Sequence, residues 1–583
     1  MRKILLSVLA MAVLLGATSF GFAQSEMKPL VTVSFAGYDR LKADIGVIGR
    51  LGGNPSLADG LEMMLKMMTQ GKGLAGLDAK QPWGAVQFTN GGMDRTTYGF
   101  LPVTDLAQLI EVAKAIPKVT AITKNNDVYE IQAGGPPLYI QQKGQWAIIA
   151  AASKDLANAP ADPLKLLGDL PKNYGLAVRF AIKNVPEQLR QQFLMQLQLA
   201  TSTQMMQRPG ESDAQYAGRK LGTQGALQAF TALANDLDEV LLGWNIDAST
   251  NTTYLDFELT AKAGTKLADQ FAQIKPGKSK FAGLRMPEAA VTVIKTIERI
   301  ERADADVAWA KDLMAVMHKS FLAEMENQGL SEDQLKLAKE MADDVLDVLQ
   351  KTIESKKSDG GLAVLMEPGA ATVVFGAEVV NGGKLEGVLK KLVEADSDAA
   401  KMIKLNADTH EGVRLHTITP PMNDPRLVPI VGDKPEMVIG IADDKLLVAA
   451  GHDAVKTLKK VLDASKAGAD KEVPPLEIKL AVGKIAKFAT EMAKDNAPPE
   501  AQMKMSMLTS VLVKAGDKDH VTITASPISQ GVRVRVEMEE GLVKAIASMG
   551  QMMGPMGAMP QGMPAKPAKP AEPDKPAGGF HSK

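Results

Sequence analysis

Hydrophobic and polar residues alternate along many short segments of this chain, and two of those segments share one layout. Residues 138–156 and 437–455 each predict a strand, a tight turn, a second strand and a polar residue that begins a helix. Three positions are identical when the segments are aligned: Ile140 with Ile439, Ala150 with Ala449, and Ala151 with Ala450. The shared pattern predicts one structural unit that occurs twice, because similarity at fixed order along a chain is typical of internal repeats.

The rest of the chain supports two halves of the same design. Each half begins with a β-branched run, at residues 30–36 and 290–296, and continues with amphipathic helices, a strand hairpin and another helix. The strand segments keep their order in both halves, whereas the helical and loop segments differ in length. We therefore predict two α+β domains, residues 27–280 and 285–548. Each is expected to hold a mainly antiparallel, curved sheet with helical insertions.

The first helical insertion of the second half has a clear amphipathic pattern. Apolar residues recur every four positions, and they are Trp309, Leu313, Met317, Phe321 and Met325. Ser331 and Gln334 then have the spacing of a capping box, which predicts the start of a second helix. We expect a helical hairpin at this place.

The two ends of the chain differ from the rest. Arg2 and Lys3 precede an apolar run and small residues before Gln24, which predicts a signal peptide at residues 1–23. We therefore expect a periplasmic or extracellular protein. It should be soluble after cleavage and not membrane-spanning, because no later apolar run reaches about 18 residues. Residues 549–583 are rich in methionine, proline and lysine and are predicted to be a disordered tail.

Composition removes several classes of function. The 583 residues include 67 basic and 68 acidic side chains, and this balance gives no reason to expect nucleic acid as a partner. The absence of cysteine excludes disulfides and zinc-thiolate sites. With 45% hydrophobic residues, the chain has enough apolar material for a large core.

Motifs for common enzyme chemistry are missing from the sequence. Gly71, Gly73 and Gly76 match G-x-G-x-x-G, but they follow a helix instead of a strand, so a helix end with a turn explains them better. The acidic pairs at residues 343–344 and 443–444 are adjacent in sequence, so their side chains are expected to point apart into solvent. We predict a protein that is not an enzyme, with no catalytic residue and no cofactor.

Histidines and methionines offer weaker candidates for metal binding. His410 and His416 lie six residues apart on a predicted strand, so they should share one face, and His452 begins the helix of the repeated unit. With nearby carboxylates these three side chains form a candidate transition-metal site. The alternative is that His452 caps a helix and the others are solvated. Methionines in the tail similarly suggest either copper binding or plain low complexity.

Methionines also follow the predicted helices at helical spacing. Met63, Met64, Met67 and Met68 lie beside Leu61 and Leu65. Core filling is one interpretation, because methionine adapts to irregular gaps. An adaptable apolar groove is the other, if the sheet covers these helices only in part.

Three segments carry a resemblance to a known group of proteins. They are GLAGLDAKQPWG at residues 73–84, LPKNYGLAVRFAIKNVPE at 170–187 and GDKDHVTITASPISQGVRVRVEMEEG at 516–541. In these segments the chain resembles uncharacterised exported bacterial proteins. The resemblance implies a secreted protein with a duplicated architecture, and it contributes no catalytic residue.

Three functional hypotheses remain open from the sequence. The first is a non-enzymatic exported binding or scaffold protein, whose partner would be an envelope protein or an apolar small molecule. The second is a periplasmic carrier of a lipid or another apolar ligand. The third is an unrecognised hydrolase. A carrier needs a continuous apolar surface, whereas a hydrolase needs convergent polar residues.

Overall fold

The structure is a computed structural model that describes residues 27–92, 94–202, 205–297, 304–327, 331–367, 369–419, 428, 435–493, 498–514, 516 and 518–552. The predicted signal peptide and residues 553–583 of the predicted tail lie outside the described residues. Residues 549–552, which we expected to be disordered, instead belong to the last helix. In the first half of that helix, Leu542 and Ala545 pack with Leu512, Val521 and Met538.

Ten strands of the main sheet come from the first half of the chain. They are β1 (Lys28–Phe35), β2 (Trp83–Thr89), β3 (Arg95–Pro102), β4 (Ala121–Asn125), β5 (Val128–Gln132), β6 (Leu138–Lys143), β7 (Trp146–Ala150), β8 (Leu176–Phe180), β9 (Leu237–Asp247) and β10 (Thr252–Ala261). A short strand, β11 (Gly277–Lys278), follows outside this sheet.

The second half supplies the other ten strands. They are β12 (Val291–Ile297), β13 (Ser358–Glu367), β14 (Ala370–Glu378), β15 (Ile403–His410), β16 (Val413–Ile418), β17 (Glu436–Ala442), β18 (Lys445–Gly451), β20 (Leu476–Ala481), β21 (His520–Ile528) and β22 (Gly531–Met538). β19 (Glu472–Val473) pairs only with β11.

Helices connect the strands in both halves. The first half has α1 (Tyr38–Leu51), α2 (Leu57–Met68), α3 (Leu106–Lys114), α4 (Pro163–Leu167), α5 (Leu170–Asn173), α6 (Glu187–Ser202), α7 (Asp213–Asp236) and α8 (Lys266–Ala272). The second half has α9 (Asp304–Asn327), α10 (Glu332–Glu354), α11 (Gly383–Ala395), α12 (Ser397–Met402), α13 (Ala454–Ala467), α14 (Val482–Ala493), α15 (Pro499–Val513) and α16 (Glu540–Met552). The capping box of α10 is present as predicted, with Ser331 Oγ accepting from the Gln334 N–H at 3.3 Å.

The strands form one antiparallel sheet that continues through both halves. β10 pairs with β22, and from this joint the first half runs outward in the order β9, β8, β1, β2, β3, β7, β6, β5, β4. The second half runs outward as β21, β20, β12, β13, β14, β18, β17, β16, β15. The predicted α+β class with a mainly antiparallel sheet is confirmed. The common strand order agrees with an internal repeat, whose origin by duplication stays a prediction, as do the domain limits.

The sheet has two different faces, and β14 shows how the sequence makes them. Successive side chains of a strand point to opposite faces. Thr372, Val374 and Gly376 are buried, whereas the intervening Val373 and Phe375 are exposed. We call the face that bears Val374 the covered face and the face that bears Phe375 the open face. The strand registers extend both faces across the central strands.

Each half has its main core on the covered face. In the second half α13 packs on β14, β17 and β18, and the turn at Ala282–Leu284 packs on α13, β12 and β13. In the first half Leu156 and Ala159 pack on β2, β3 and β7. The outer strands are also covered on the other face, by α3 over β5 to β7 and by α11 over β17. The open face is therefore a feature of the central strands.

Candidate apolar binding surface

Apolar side chains fill the open face around the joint between β10 and β22. On β10 the register places Leu255 between Trp244 and Val536, and Phe257 between Leu242 and Val534. We call these residues and their neighbours on the same face the apolar floor. The neighbours are Leu176, Val178, Phe180, Val240, Leu259, Val532, Ile523 and Ile478. Every one of these side chains is apolar.

The described chain leaves the middle of the apolar floor exposed, and it buries Val532 at one end. Leu255 is 45% exposed, Phe257 and Leu242 are each 38% exposed, and Phe180 is 36% exposed. Contiguous exposed apolar surface is uncommon on soluble proteins and marks interaction sites. Covering such side chains is favourable by about 25 cal/mol per Å² of apolar area removed from water. The floor is thus a surface that gains free energy from an apolar occupant.

Two short helices close the floor at opposite ends. Leu267 and Phe271 of α8 pack with Leu259 near the end of β10. At the other end Leu542 and Ala545 of α16 pack with the start of β21 and the end of β22. The middle of β10, with Leu255 and Phe257, lies between these helices. The result is an apolar strip with a helix at either end.

The helical insertions next to the floor also expose apolar side chains. α6 and α7 connect β8 to β9, and no residue of α6 is buried. Phe193 and Phe230 are exposed, and their rings lie 5.9 Å apart. Trp309 of α9 donates from Nε1 to the Leu221 carbonyl of α7 at 3.0 Å, so insertions from both halves are in contact.

The methionines of α2 differ from its leucines in exposure, and the groove interpretation of these methionines stays a prediction. Met63 and Met67 are exposed, whereas Leu61 and Leu65 of the same helix are buried. The core of this helix is thus made by leucines, and two of its methionines face outward. Methionine on a surface is an adaptable apolar contact.

Behind the floor, the covered face of the same strands carries a charged cluster. Asp256 has 0% exposure, and Arg535 donates to its two carboxylate oxygens from Nε and Nη2 at 2.7 and 2.8 Å. Arg533 donates to Glu258 at 2.7 Å. The Tyr174 hydroxyl lies 3.0 Å from both carboxylates. These ion pairs join β10 of the first half to β22 of the second half.

Electrostatics keeps the Arg535 guanidinium charged and the Tyr174 hydroxyl neutral. The hydrogen bond to Asp256 raises the pKa of Arg535, and burial together with the two carboxylates raises the pKa of Tyr174. The Tyr254 ring also stacks on the Arg535 guanidinium, with 3.8 Å between the guanidinium carbon and the ring centre. Both carboxylates are held by arginines, so the cluster is suited to fixing the joint instead of transferring protons.

Asp44 of α1 is a buried carboxyl that no motif in the sequence singles out. Its Oδ2 has no hydrogen-bond partner in the described part of the chain. The side chain lies beside Gly175, where a Cβ would be 3.1 Å from Oδ2. Burial raises the pKa of Asp44 to about 6, although Arg40 acts in the opposite direction. Arg40 donates instead to Asn245 at 2.6 Å.

The three histidines of the candidate metal site lie apart from one another. His410 ends β15 and His416 lies on β16, so the prediction that one strand carries both was wrong. The turn at Glu411–Gly412 separates the strands, and the register places the two side chains on opposite faces of the hairpin. Among the described residues, no group of three or more potential ligands is close enough to hold a metal ion.

Each histidine has its own surroundings. His416 is fully buried, its Nδ1 accepts from the Asn406 N–H at 3.2 Å, and burial lowers its pKa, so its ring is neutral. His410 pairs with Asp463 at 2.6 Å. His452 lies on the wall of a cleft of about 420 Å³ and does not cap α13, whose N-cap residue is Asp453.

The other sequence candidates lie in structural roles. Asp344 pairs with Lys391 at 2.8 Å, and Asp444 pairs with Lys280 at 2.7 Å. The glycines at 71, 73 and 76 follow the end of α2, and each has a positive φ, which is typical of turns. The methionine-rich tail lies mostly outside the described residues.

Comparisons with known proteins give no family for this chain. No family model, curated protein or solved structure matches it. Within the described ranges, no helix combines the length and the apolarity needed to cross a membrane. Function is therefore inferred from this chain's own residues.

Proposed function

We propose that this chain is a non-enzymatic binding protein that holds a lipid acyl chain, or a similar apolar chain, on the apolar floor. The observation that carries the proposal is the uncovered row of Leu242, Leu255 and Phe257 at the centre of the sheet. Because the sequence predicts a signal peptide, we also propose that the protein acts in the periplasm or outside the cell.

An acyl chain suits the floor better than an extended polypeptide does. Buried peptide groups need hydrogen-bond partners. The floor consists of strand faces, whose backbone groups already pair with neighbouring strands. Its one polar side-chain group, Trp244 Nε1, is engaged with Thr253 Oγ1 at 3.0 Å. A ligand without hydrogen-bonding groups loses nothing when it covers this surface.

The scaffold and hydrolase hypotheses have less support. A scaffold would use the exposed side chains of α6 and α7 for a protein partner, and it would leave the apolar floor free. A hydrolase requires convergent polar groups. The acidic pairs at 343–344 and 443–444 do not supply them, since Asp344 and Asp444 meet different lysines.

The test uses a neutral apolar dye, N-phenyl-1-naphthylamine, whose fluorescence rises when it leaves water. The double variant Leu255→Asn/Phe257→Asn should bind the dye about tenfold more weakly than the wild type, because it removes two apolar side chains from the contact. The matched control is Met67→Asn, an exposed apolar residue of α2 away from the floor. Equal dye affinity in the double variant and the wild type would refute the proposal.

Native mass spectrometry of the protein purified from its own envelope identifies the ligand. The expected result is additional mass that matches a lipid and disappears on denaturation. The Leu255→Asn/Phe257→Asn variant should lose this mass, whereas Met67→Asn should retain it. A protein partner in place of a lipid would favour the scaffold hypothesis.

A further inference from the structure

A second cleft lies on the covered face of the sheet, in the second half of the chain. It has a volume of about 490 Å³ and lies between the end of α13, the turn at Ala282–Leu284 and strands β12 and β20. Its wall is more apolar than polar, with Met286 and Ala464 among the apolar residues. The cleft is separated from the apolar floor by the sheet itself, because Thr292 and Lys479 point to the covered face.

Most charged groups around this cleft are neutralised by neighbours. Arg285 donates to both carboxylate oxygens of Glu477 at 2.7 and 2.8 Å. Lys460 pairs with Glu288. His520 Nδ1 lies 2.9 Å from Glu539 Oε2. The pairs of Arg285 with Glu477 and of Lys460 with Glu288 therefore add no net charge to the cleft.

Two lysines on the cleft wall are exceptions. Lys471 and Lys479 both line the cleft, and neither has an acidic partner among the described residues. Lys479 belongs to β20, opposite Thr292 of β12, and Lys471 lies in the turn after α13. Both lysines therefore line the cleft beside its apolar wall, Lys471 as an exposed residue and Lys479 as a half-buried one. A positively charged cavity of this kind concentrates anions.

The first half shows that an unpaired cation is not required at this place in the fold. Arg179 on β8 lies opposite Thr32 of β1, as Lys479 on β20 lies opposite Thr292 of β12. Arg179 has an acidic partner, Glu239, at 3.6 Å. The cation at this strand position is thus paired with a carboxylate in the first half. In the second half, which contains the cleft, the corresponding cation has no acidic partner among the described residues.

We propose that this cleft binds a small phosphate monoester, with the phosphate between Lys471 and Lys479 and the organic part against Met286 and Ala464. A phosphate monoester carries between one and two negative charges at neutral pH, which matches two unpaired lysines. The apolar wall favours an ester over the inorganic ion, because it covers the organic group. This site is independent of the acyl-chain surface and lies on the opposite face of the sheet.

Isothermal titration of the full chain with butyl phosphate at low salt tests the proposal. One molecule should bind per chain, and Lys471→Gln/Lys479→Gln should weaken binding at least about tenfold, because both charged partners of the phosphate are removed. The matched control is Lys404→Gln/Lys445→Gln, two lysines outside the cleft that also lack an ion pair in the described part of the chain. Thermal unfolding of both variants checks that they are folded.

Three further ligands distinguish binding at this site from binding by charge alone or by the apolar group alone. Inorganic phosphate and butyrate should bind more weakly than butyl phosphate, and butyltrimethylammonium should not bind at all. Dye binding to the apolar floor should be unchanged in Lys471→Gln/Lys479→Gln, so failure of one proposal leaves the other intact. Absence of butyl phosphate binding, or equal binding by both lysine variants, would overturn the assignment.

Discussion

Two neighbouring valines on β14 show how differently the two faces of this sheet are used. Val374 has 0% exposure and packs in the core beneath α13, whereas Val373, its neighbour on the same strand, is 40% exposed. Continuous apolar strands are typical of sheets that are covered on both faces. In the centre of this sheet the described residues cover only one of them. The sequence therefore contains the apolar residues of a second buried layer that the described part of the chain does not supply.

The same contrast is sharper at the joint between the halves. On the covered face β10 carries Asp256 and Glu258, which pair with arginines of β22. On the open face it carries Leu255 and Phe257, which are uncovered. The covered face holds the molecule together, and the open face is available for a ligand. The following changes test that division of roles.

The largest expected effect comes from breaking the buried ion pair at the joint. Arg535→Met should lower the free energy of unfolding by about 3–5 kcal/mol, because it removes both arginine hydrogen bonds of the buried Asp256 carboxylate and leaves only Arg533, 3.5 Å from Asp256 Oδ2, as a cation nearby. Urea unfolding measures this loss. Arg533→Met is the matched control, since its partner Glu258 is less buried than Asp256, and its cost should be smaller. A loss below about 1 kcal/mol in Arg535→Met would show that the pair does not hold the joint.

The second prediction concerns the unpartnered carboxyl of Asp44. Its pKa is about 6 in the folded protein, against an ordinary value of 3.8. The folded state thus binds the proton more tightly, so this group makes the protein less stable as the pH rises from about 4 to about 6, by up to about 3 kcal/mol. Above about pH 6 the protein has lost all of the stability that depends on protonated Asp44, and below about pH 4 it has lost none of it.

Asp44→Asn removes this pH dependence because asparagine does not titrate. The stability advantage of the variant over the wild type should grow from about pH 4 to about pH 6 and then stay constant up to about pH 7. Urea unfolding at several pH values measures it. Asp59→Asn on α2 is the control, because Asp59 is exposed. A stability difference between Asp44→Asn and the wild type that stays constant with pH would contradict the prediction.

The fold was largely predictable because local pattern determines the strands. The hairpins at 138–156 and 437–455 are present as β6 with β7 and as β17 with β18, where alternation is strong. The hairpin of β4 and β5 was missed. Most of the β4 side chains are exposed, so this strand has no buried face to leave a periodic apolar signal. The histidine prediction failed for a related reason, since a turn between His410 and His416 moved them to separate strands.

The candidate site depended on contacts that the sequence does not encode locally. A strand reads as apolar on both sides whether or not the chain later covers it, so the open face could be identified only in three dimensions. The pair of Asp256 and Arg535 spans 279 positions, and no local pattern links its members. The helical methionines did suggest an apolar groove as one interpretation. Its main location, however, is a sheet face.

The smallest expected effect is also the most direct comparison of the two faces. Val374→Ala should destabilise the protein by about 2 kcal/mol, because it removes two methyl groups from a closed core. Val373→Ala removes the same atoms from the same strand, but from the open face, and should cost less than about 0.5 kcal/mol. Urea unfolding of the pair without added lipid measures the difference. Equal losses would mean that the open face is covered in solution, by a second copy or a retained ligand. Delipidation at constant protein concentration removes a retained lipid without removing a second copy, so a fall in the cost of Val373→Ala after delipidation alone indicates the lipid, and a fall only on dilution of the delipidated protein indicates association.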